Sequence, residues 1–123
     1  MVIVLPFETP SKKNSRVVDR RTGRSFPNKR FTDWHKAALL YIRTQGAERM
    51  EGPVHIDFMF THPTRRRCDS DNKVSSIMDL LVDAGVLPDD CWEVVPAYTV
   101  LNAYCKGEAK AEININPLPD ALE

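Results

Sequence analysis

From Arg65 to Asp90 the chain reads R-R-R-C-D-S-D-N-K-V-S-S-I-M-D-L-L-V-D-A-G-V-L-P-D-D. Two carboxylates one residue apart, Asp69 and Asp71, open a run in which Val74, Ile77, Met78 and Leu81 recur at helical spacing. Such a stripe needs a core to lie against. Gly85 is a suitable stop, and a second acid pair, Asp89 and Asp90, follows it. The fold must therefore carry an amphipathic helix bracketed by acids. In extended chain, residues i and i+2 share a side, so Asp69 and Asp71 can face one ion. A helix of roughly 13 residues is about 20 Å long, so the segment from Gly85 must double back if Asp90 is to join them.

The flanking sequence supplies the other layer. Val2–Leu5 is a short β-branched run that reads as a buried strand. Thr9 to Arg30 is rich in Ser, Asn, Pro, Gly and Arg and reads as a long loop or loose hairpin turning at Thr22-Gly23. Thr32 is the expected cap of a helix whose apolar stripe is Trp34, Ala37, Ala38, Tyr41 and Ile42, ending at Gly46. Val54, Ile56, Phe58 and Phe60 alternate with polar neighbours as a strand, ended by His62-Pro63. Asp71 or Asn72 is the expected cap of the second helix. A third strand is expected over Val94–Leu101, with Pro96 marking an edge or bulge. Asn102–Gly107 should turn the chain into a fourth, Ala109 to Ile115. The order is β-α-β-α-β-β, an α/β fold of one domain over residues 1–123, with a four-stranded mixed sheet and two helices on one face. The basic arm occupies about 10–31, and a poorly ordered tail is expected over about 116–123.

Net charge is zero, yet the charges are segregated. Nine of 17 basic residues lie between Lys12 and Lys36, and 11 of 17 acids lie at or after Asp69. A basic first third is an electrostatic footprint that net charge conceals. Lys12, Lys13, Asn14, Arg16, Arg20, Arg21, Arg24, Lys29 and Arg30, joined by Arg65, Arg66 and Arg67, form the expected DNA-backbone surface. Phe26 and Phe31 interleave with these charges; such aromatics either stack on bases or anchor a loop to the core. Three cysteines without C-x-x-C spacing support neither a disulfide framework nor a zinc site. His35, His55 and His62 show no ligand spacing. Met1–Leu5 is too short for a signal peptide and no run is long enough to cross a membrane, so a cytoplasmic protein is expected.

Crowded acids repel one another, and a divalent cation relieves that repulsion because hard carboxylate oxygens are what Mg²⁺ binds. Adjacent arginines imply that an anion docks alongside. Metal beside phosphate is the setting of phosphoryl-transfer chemistry. Individually the motifs are weak. Surface D-x-D pairs are common, Asp71 alone can equally be a cap, and Asp89-Asp90 after Pro88 can be an ordinary turn. An EF-hand loop is excluded, because Val74 stands where glycine is needed and Leu80 where glutamate is needed.

The whole string is far more specific. Arg66-x-x-Asp69-Ser70-Asp71-Asn72, then Asp79-Leu80-Leu81, then Gly85-Val86-Leu87-Pro88-Asp89-Asp90-Cys91-Trp92-Glu93-Val94, resembles the RusA family of Holliday-junction endonucleases. Pro10-Ser11-Lys12-Lys13-Asn14-Ser15-Arg16 and the basic loop after it resemble that family too, so the likeness covers nearly the whole chain. It implies a small, homodimeric, Mg²⁺-dependent nuclease, with Mn²⁺ as a substitute, that resolves four-way DNA junctions by paired nicks in recombination and repair. It also implies that Asp69, Asp71 and Asp90 are the catalytic metal ligands, supported by Asp89 and Asn72. One departure stands out. The family usually carries a lysine four residues after the second Asp, where this chain has Ser75; its nearest lysine is Lys73. At about 100° per residue, position 75 lies near the direction of Asp71 and position 73 almost opposite. Lys73 then serves catalysis only from the first helical turn, or an arginine of 65–67 supplies the charge. A junction-binding protein with weak or no catalysis is the alternative. A phosphohydrolase of small nucleotides is disfavoured, because a mononucleotide has too few charges to use the long arm.

Overall fold

The computed structural model describes residues 1–11 and 16–118. Strand β1 (Val2–Leu5) is followed by a small ribbon, β2 (Arg16–Val18) and β3 (Ser25–Pro27), then α1 (Lys29–Thr44), β4 (Val54–His62), α2 (Ser70–Asp83), β5 (Ala97–Tyr104) and β6 (Lys110–Pro117). The main sheet has the order β1-β6-β4-β5. β4 and β5 run parallel, while β6 is antiparallel to both β4 and β1. The sheet is thus mixed and four-stranded, with two helices, as expected. Parallel neighbours require a crossover, and α2 is that crossover.

Alternation along β4 and β6 explains the layering. Val54, Ile56, Phe58 and Phe60, with Ala111, Ile113 and Ile115, point to one face and are buried. The core closes over them with Phe31, Trp34, Ala38 and Ile42 from α1 and Val74, Ile77, Met78, Leu80 and Leu81 from α2. β1 is an outer strand, and the side-chain amide of Gln45 covers its edge: Val4 N donates to Gln45 Oε1 at 2.9 Å, and Gln45 Nε2 donates to Val4 O at 2.8 Å. β5 is the other edge.

Several boundaries differ from the sequence reading. The cap of α1 is Asn28, whose Oδ1 accepts from Phe31 N at 2.9 Å, so the helix begins before Thr32. Thr32 Oγ1 instead donates back to Lys29 O at 3.0 Å. The earlier start adds Phe31 to the stripe, while Tyr41, expected in it, is exposed and packs edge-on against Phe7. The cap of α2 is Asp69, not Asp71 or Asn72. β5 begins at Ala97 and runs through Tyr104, three residues later than read: pairing with β4, not the apolar run of Val94 and Val95, sets its register. β6 extends to Pro117, and Leu118 N donates to Pro53 O at 2.9 Å, which holds the start of the expected tail. The expected hairpin is present, with Gly23 at φ 70° in its turn. Residues 12–15 of the arm and 119–123 of the tail lie outside the described residues. Among the described residues, no helix is long and apolar enough to cross a membrane.

Candidate functional site

Asp69 sits at the junction between β4 and α2, at the carboxyl edge of the parallel pair. In open α/β sheets that edge is where ligands gather. Its backbone is extended, and its side chain makes no capping hydrogen bond, although capping is the usual duty of an Asp there. The carboxylate is therefore uncommitted beside the helix N-terminus. A pocket of about 200 Å³ opens next to it. Arg66, Arg67, Cys68 and Asp69 form one wall, Glu8 to Ser11 a second, and Arg30 and Lys73 complete it. Four cationic side chains against two carboxylates suit an anion.

Lys73 and Ser76 shape this pocket. Lys73 is only 4% exposed, and its Nζ donates to Thr9 O at 2.5 Å. Ser76 is fully buried and its Oγ donates to Pro10 O at 2.7 Å. One face of α2 therefore grips the root of the basic arm. Lys73 does point away from Asp71, as its angular position requires, yet it lines the same pocket as Asp69. Ser75 is exposed.

The second acid pair lies elsewhere. Val86 O accepts from Met50 N at 2.8 Å, and Val94 O accepts from Val54 N at 2.9 Å. Both anchors of the loop that carries Asp89 and Asp90 are thus tied near the start of β4, while Asp69 lies past its end. β4 spans nine residues, roughly 26 Å at 3.3 Å per step. Four residues of loop on either side of Asp90 reach at most about 14 Å. Asp90 is exposed, and its backbone N–H is taken by Asp89 Oδ1 at 2.8 Å. Among the described residues, no group of three His, Cys, Asp or Glu side chains converges as a metal site. Asp69 and Asp71 stand at one helix start, and the loop that carries Asp90 is anchored near the start of β4. As donors these exposed carboxylates suit a hard divalent cation.

The rest of the basic surface is distributed. Arg20, Arg21 and Arg24 cluster at the exposed turn of the ribbon. Arg16 braces it, donating from Nε to Ser25 Oγ at 2.6 Å and from Nη2 to Ser25 O at 2.7 Å. Lys29 and Arg30 are exposed on the first turn of α1. Arg65 stacks over Tyr104, its guanidinium carbon 4.3 Å from the ring centroid. Lys12, Lys13 and Asn14 lie outside the described residues. Asn72 sits in the first turn of α2, and its main-chain oxygen lies 3.1 Å from Ser76 Oγ, whose proton is shared with the nearer Pro10 O. Sequence reasoning gave Thr9, Pro10 and Ser76 no part in the site, and no spacing rule would join them, since the contacts of α2 with Thr9 and Pro10 cross more than 60 positions.

Residues 6–116 match the family model described as Endodeoxyribonuclease RusA. The chain is also 29% identical over 82 residues to the Crossover junction endodeoxyribonuclease RusA of Aquifex aeolicus (strain VF5), a match that covers 66% of this chain and 65% of that protein. The matched segment thus spans just under two thirds of the relative's length.

Proposed function

Because this chain belongs to the RusA family of endodeoxyribonucleases, we propose that it is a divalent-metal-dependent endonuclease that resolves four-way DNA junctions by paired nicks, in recombination and repair. The observation that carries this reading is the uncommitted carboxylate of Asp69 beside a pocket lined by Arg30, Arg66, Arg67 and Lys73. Acid for a cation and cations for a phosphate stand side by side.

Asp69 and Asp71 would hold Mg²⁺, or Mn²⁺ in its place, and Asp90 would complete the set. The distance between the two acid pairs favours completion in a two-fold dimer, with the partner subunit's Asp90 facing Asp69 and Asp71. A junction requiring two symmetric cuts suits such symmetry. When bound, the metal lowers the pKa of a coordinated water and polarises the scissile phosphate. Arg66 and Arg67 would receive the phosphate, offset charge developing on its oxygens and set its direction for in-line displacement. The ribbon arginines and the arm would hold the DNA backbone without reading sequence.

A second reading, junction binding with little catalysis, draws on one observation: Ser75 is exposed where the family carries lysine, and the ammonium of Lys73 is engaged by Thr9. Incubation of the protein with an end-labelled four-way junction, with and without Mg²⁺, separates the two. Symmetric nicks that need Mg²⁺ and vanish in Asp71→Asn support the nuclease. Tight binding with no nick, with or without Mg²⁺, overturns it in favour of the second reading.

A further inference from the structure

We infer that Asn102, on the edge strand β5, is a positioning residue for the Asp69–Asp71 pair. The inference rests on the nuclease reading above and adds a residue to it. Asn102 Nδ2 donates to Ser70 Oγ at 3.0 Å. Ser70 is the residue between the two carboxylates and the first of α2. The other end of the same amide is also fixed, for Asn102 Oδ1 lies 2.8 Å from His62 Nε2. A carbonyl oxygen only accepts, so the imidazole donates. The amide is thus hydrogen-bonded at both ends, to His62 and to Ser70.

The placement follows from the sheet. Asn102 pairs with Phe60, and Tyr104 with His62, in the parallel β4–β5 register. Phe60 faces the helices, so Asn102 does too, near the start of α2. The segment from His62 to Ser70 is held at four points by β5 and the turn after it. Cys105 N donates to His62 O at 3.0 Å, and Gly107 N to Pro63 O at 3.1 Å. Tyr104 carries the Arg65 guanidinium on its ring. Asn102 holds the far end, at the residue between the two acids. Loop-borne ligands need such support to keep a productive geometry. Asp69 has no capping bond of its own to fix it, so its direction depends on the residue beside it.

The test is a double-mutant cycle with Asn102→Leu and Ser70→Ala, read three ways. The expected result is that each single variant nicks four-way junctions at least about tenfold more slowly, as small misplacements of reacting groups do. The Mg²⁺ concentration for half-maximal rate rises, and junction affinity measured in EDTA stays within twofold of wild type. The double variant is no slower than either single one, the mark of one shared contact. In the metal-free protein, amide exchange across residues 65–71 speeds up in both singles. If Asn102→Leu misfolds, Ser70→Ala alone decides, since alanine at the first helical position is well tolerated. Wild-type rate and Mg²⁺ dependence in Ser70→Ala overturn the inference. So do additive losses, or losses that track junction affinity. A wild-type protein that nicks nothing removes the nuclease reading itself, a different outcome from wild-type nicking that the variants leave untouched.

Discussion

The ammonium of Lys73 and the main-chain oxygen of Thr9 meet at 2.5 Å across 64 positions of sequence. A lysine nearly excluded from solvent is held there by what it bonds, and here it bonds the backbone at the root of the basic arm. Lys73→Met keeps the aliphatic stem and removes the donor. The Thr9 oxygen then loses its partner in a buried place, which costs about 1–3 kcal/mol. Urea unfolding should show a loss of that size. Proteolytic cleavage within residues 10–16 should accelerate by more than global destabilisation accounts for. An unchanged cleavage rate in the arm would mean that Lys73 does not tether it.

The two aromatic residues of the basic region have opposite fates. Phe31 is 6% exposed and packs in the core, with its ring 5.5 Å from that of Trp34. Phe26 is 47% exposed on the ribbon, paired across it with Val17. Phe31→Ala should cost about 3–5 kcal/mol of stability, as a buried aromatic does. Phe26→Ala should leave stability within about 0.5 kcal/mol and weaken junction binding by about 1–3 kcal/mol if the ring stacks on a base. Fluorescence of 2-aminopurine at the junction centre would show the same loss of contact. Replacing Arg20, Arg21 or Arg24 by alanine should instead flatten the salt dependence, by about 0.9 in slope for each phosphate contact removed.

The sequence made the layering legible because alternation in β4 and β6 and the stripe of α2 are local patterns. Val74, Ile77, Met78 and Leu81 are all buried as their spacing requires. What it could not convey was long-range. Asn102 read as the start of a turn, because a polar residue after an apolar run is a fair end signal. The parallel register with β4 carries the strand past it to Tyr104. Thr32 looked like a cap because the helix pattern was read from Trp34, whereas Asn28 caps three residues upstream of Phe31. The acids are the sharpest case. Their spacing in sequence identified them, but the direction of the Gly85–Asp90 link depends on hydrogen bonds to Met50 and Val54. Those ties anchor both ends of the loop near the start of β4, a long-range constraint that no local spacing carries.

At the turn between β5 and β6, the Cys105 thiol is pushed up from its ordinary value by its hydrogen bond to Glu108 and by that carboxylate's charge. The same contact, with Lys110 nearby, holds the Glu108 carboxyl below its ordinary value. Glu108 is thus ionised through the neutral range, and Cys105 stays protonated to higher pH than a free thiol. Glu108→Gln removes the charge and should lower the thiol pKa, since less work is then needed to form the thiolate. Alkylation of Cys105 by iodoacetamide at pH 7.5, followed by peptide mass spectrometry, should be several-fold faster in the variant. The advantage should fade above the wild-type thiol pKa, where both proteins carry thiolate. An equal rate at neutral pH would show that the carboxylate does not govern this thiol.

The separation of Asp90 from Asp69 and Asp71 makes a prediction about which chain supplies each acid. Asp71→Asn and Asp90→Asn should each abolish nicking, by at least about 100-fold, because an incomplete carboxylate set loses the metal-assisted step. Binding to the junction should hold or tighten as repulsion of phosphate falls. The two dead proteins are then mixed and allowed to exchange subunits. If both acid pairs of a site came from one chain, every heterodimer would be dead. If the partner subunit supplies Asp90, each heterodimer pairs one doubly defective site with one intact site. Random exchange of equal amounts makes about half the dimers mixed, so roughly a quarter of the wild-type sites return. Those dimers should place single nicks rather than paired ones, and the product gel should show nicked junctions accumulating without resolved duplexes. A mixture as inactive as its parents, with heterodimers confirmed by native mass spectrometry, would place all three carboxylates of a site on one chain and overturn the two-chain site.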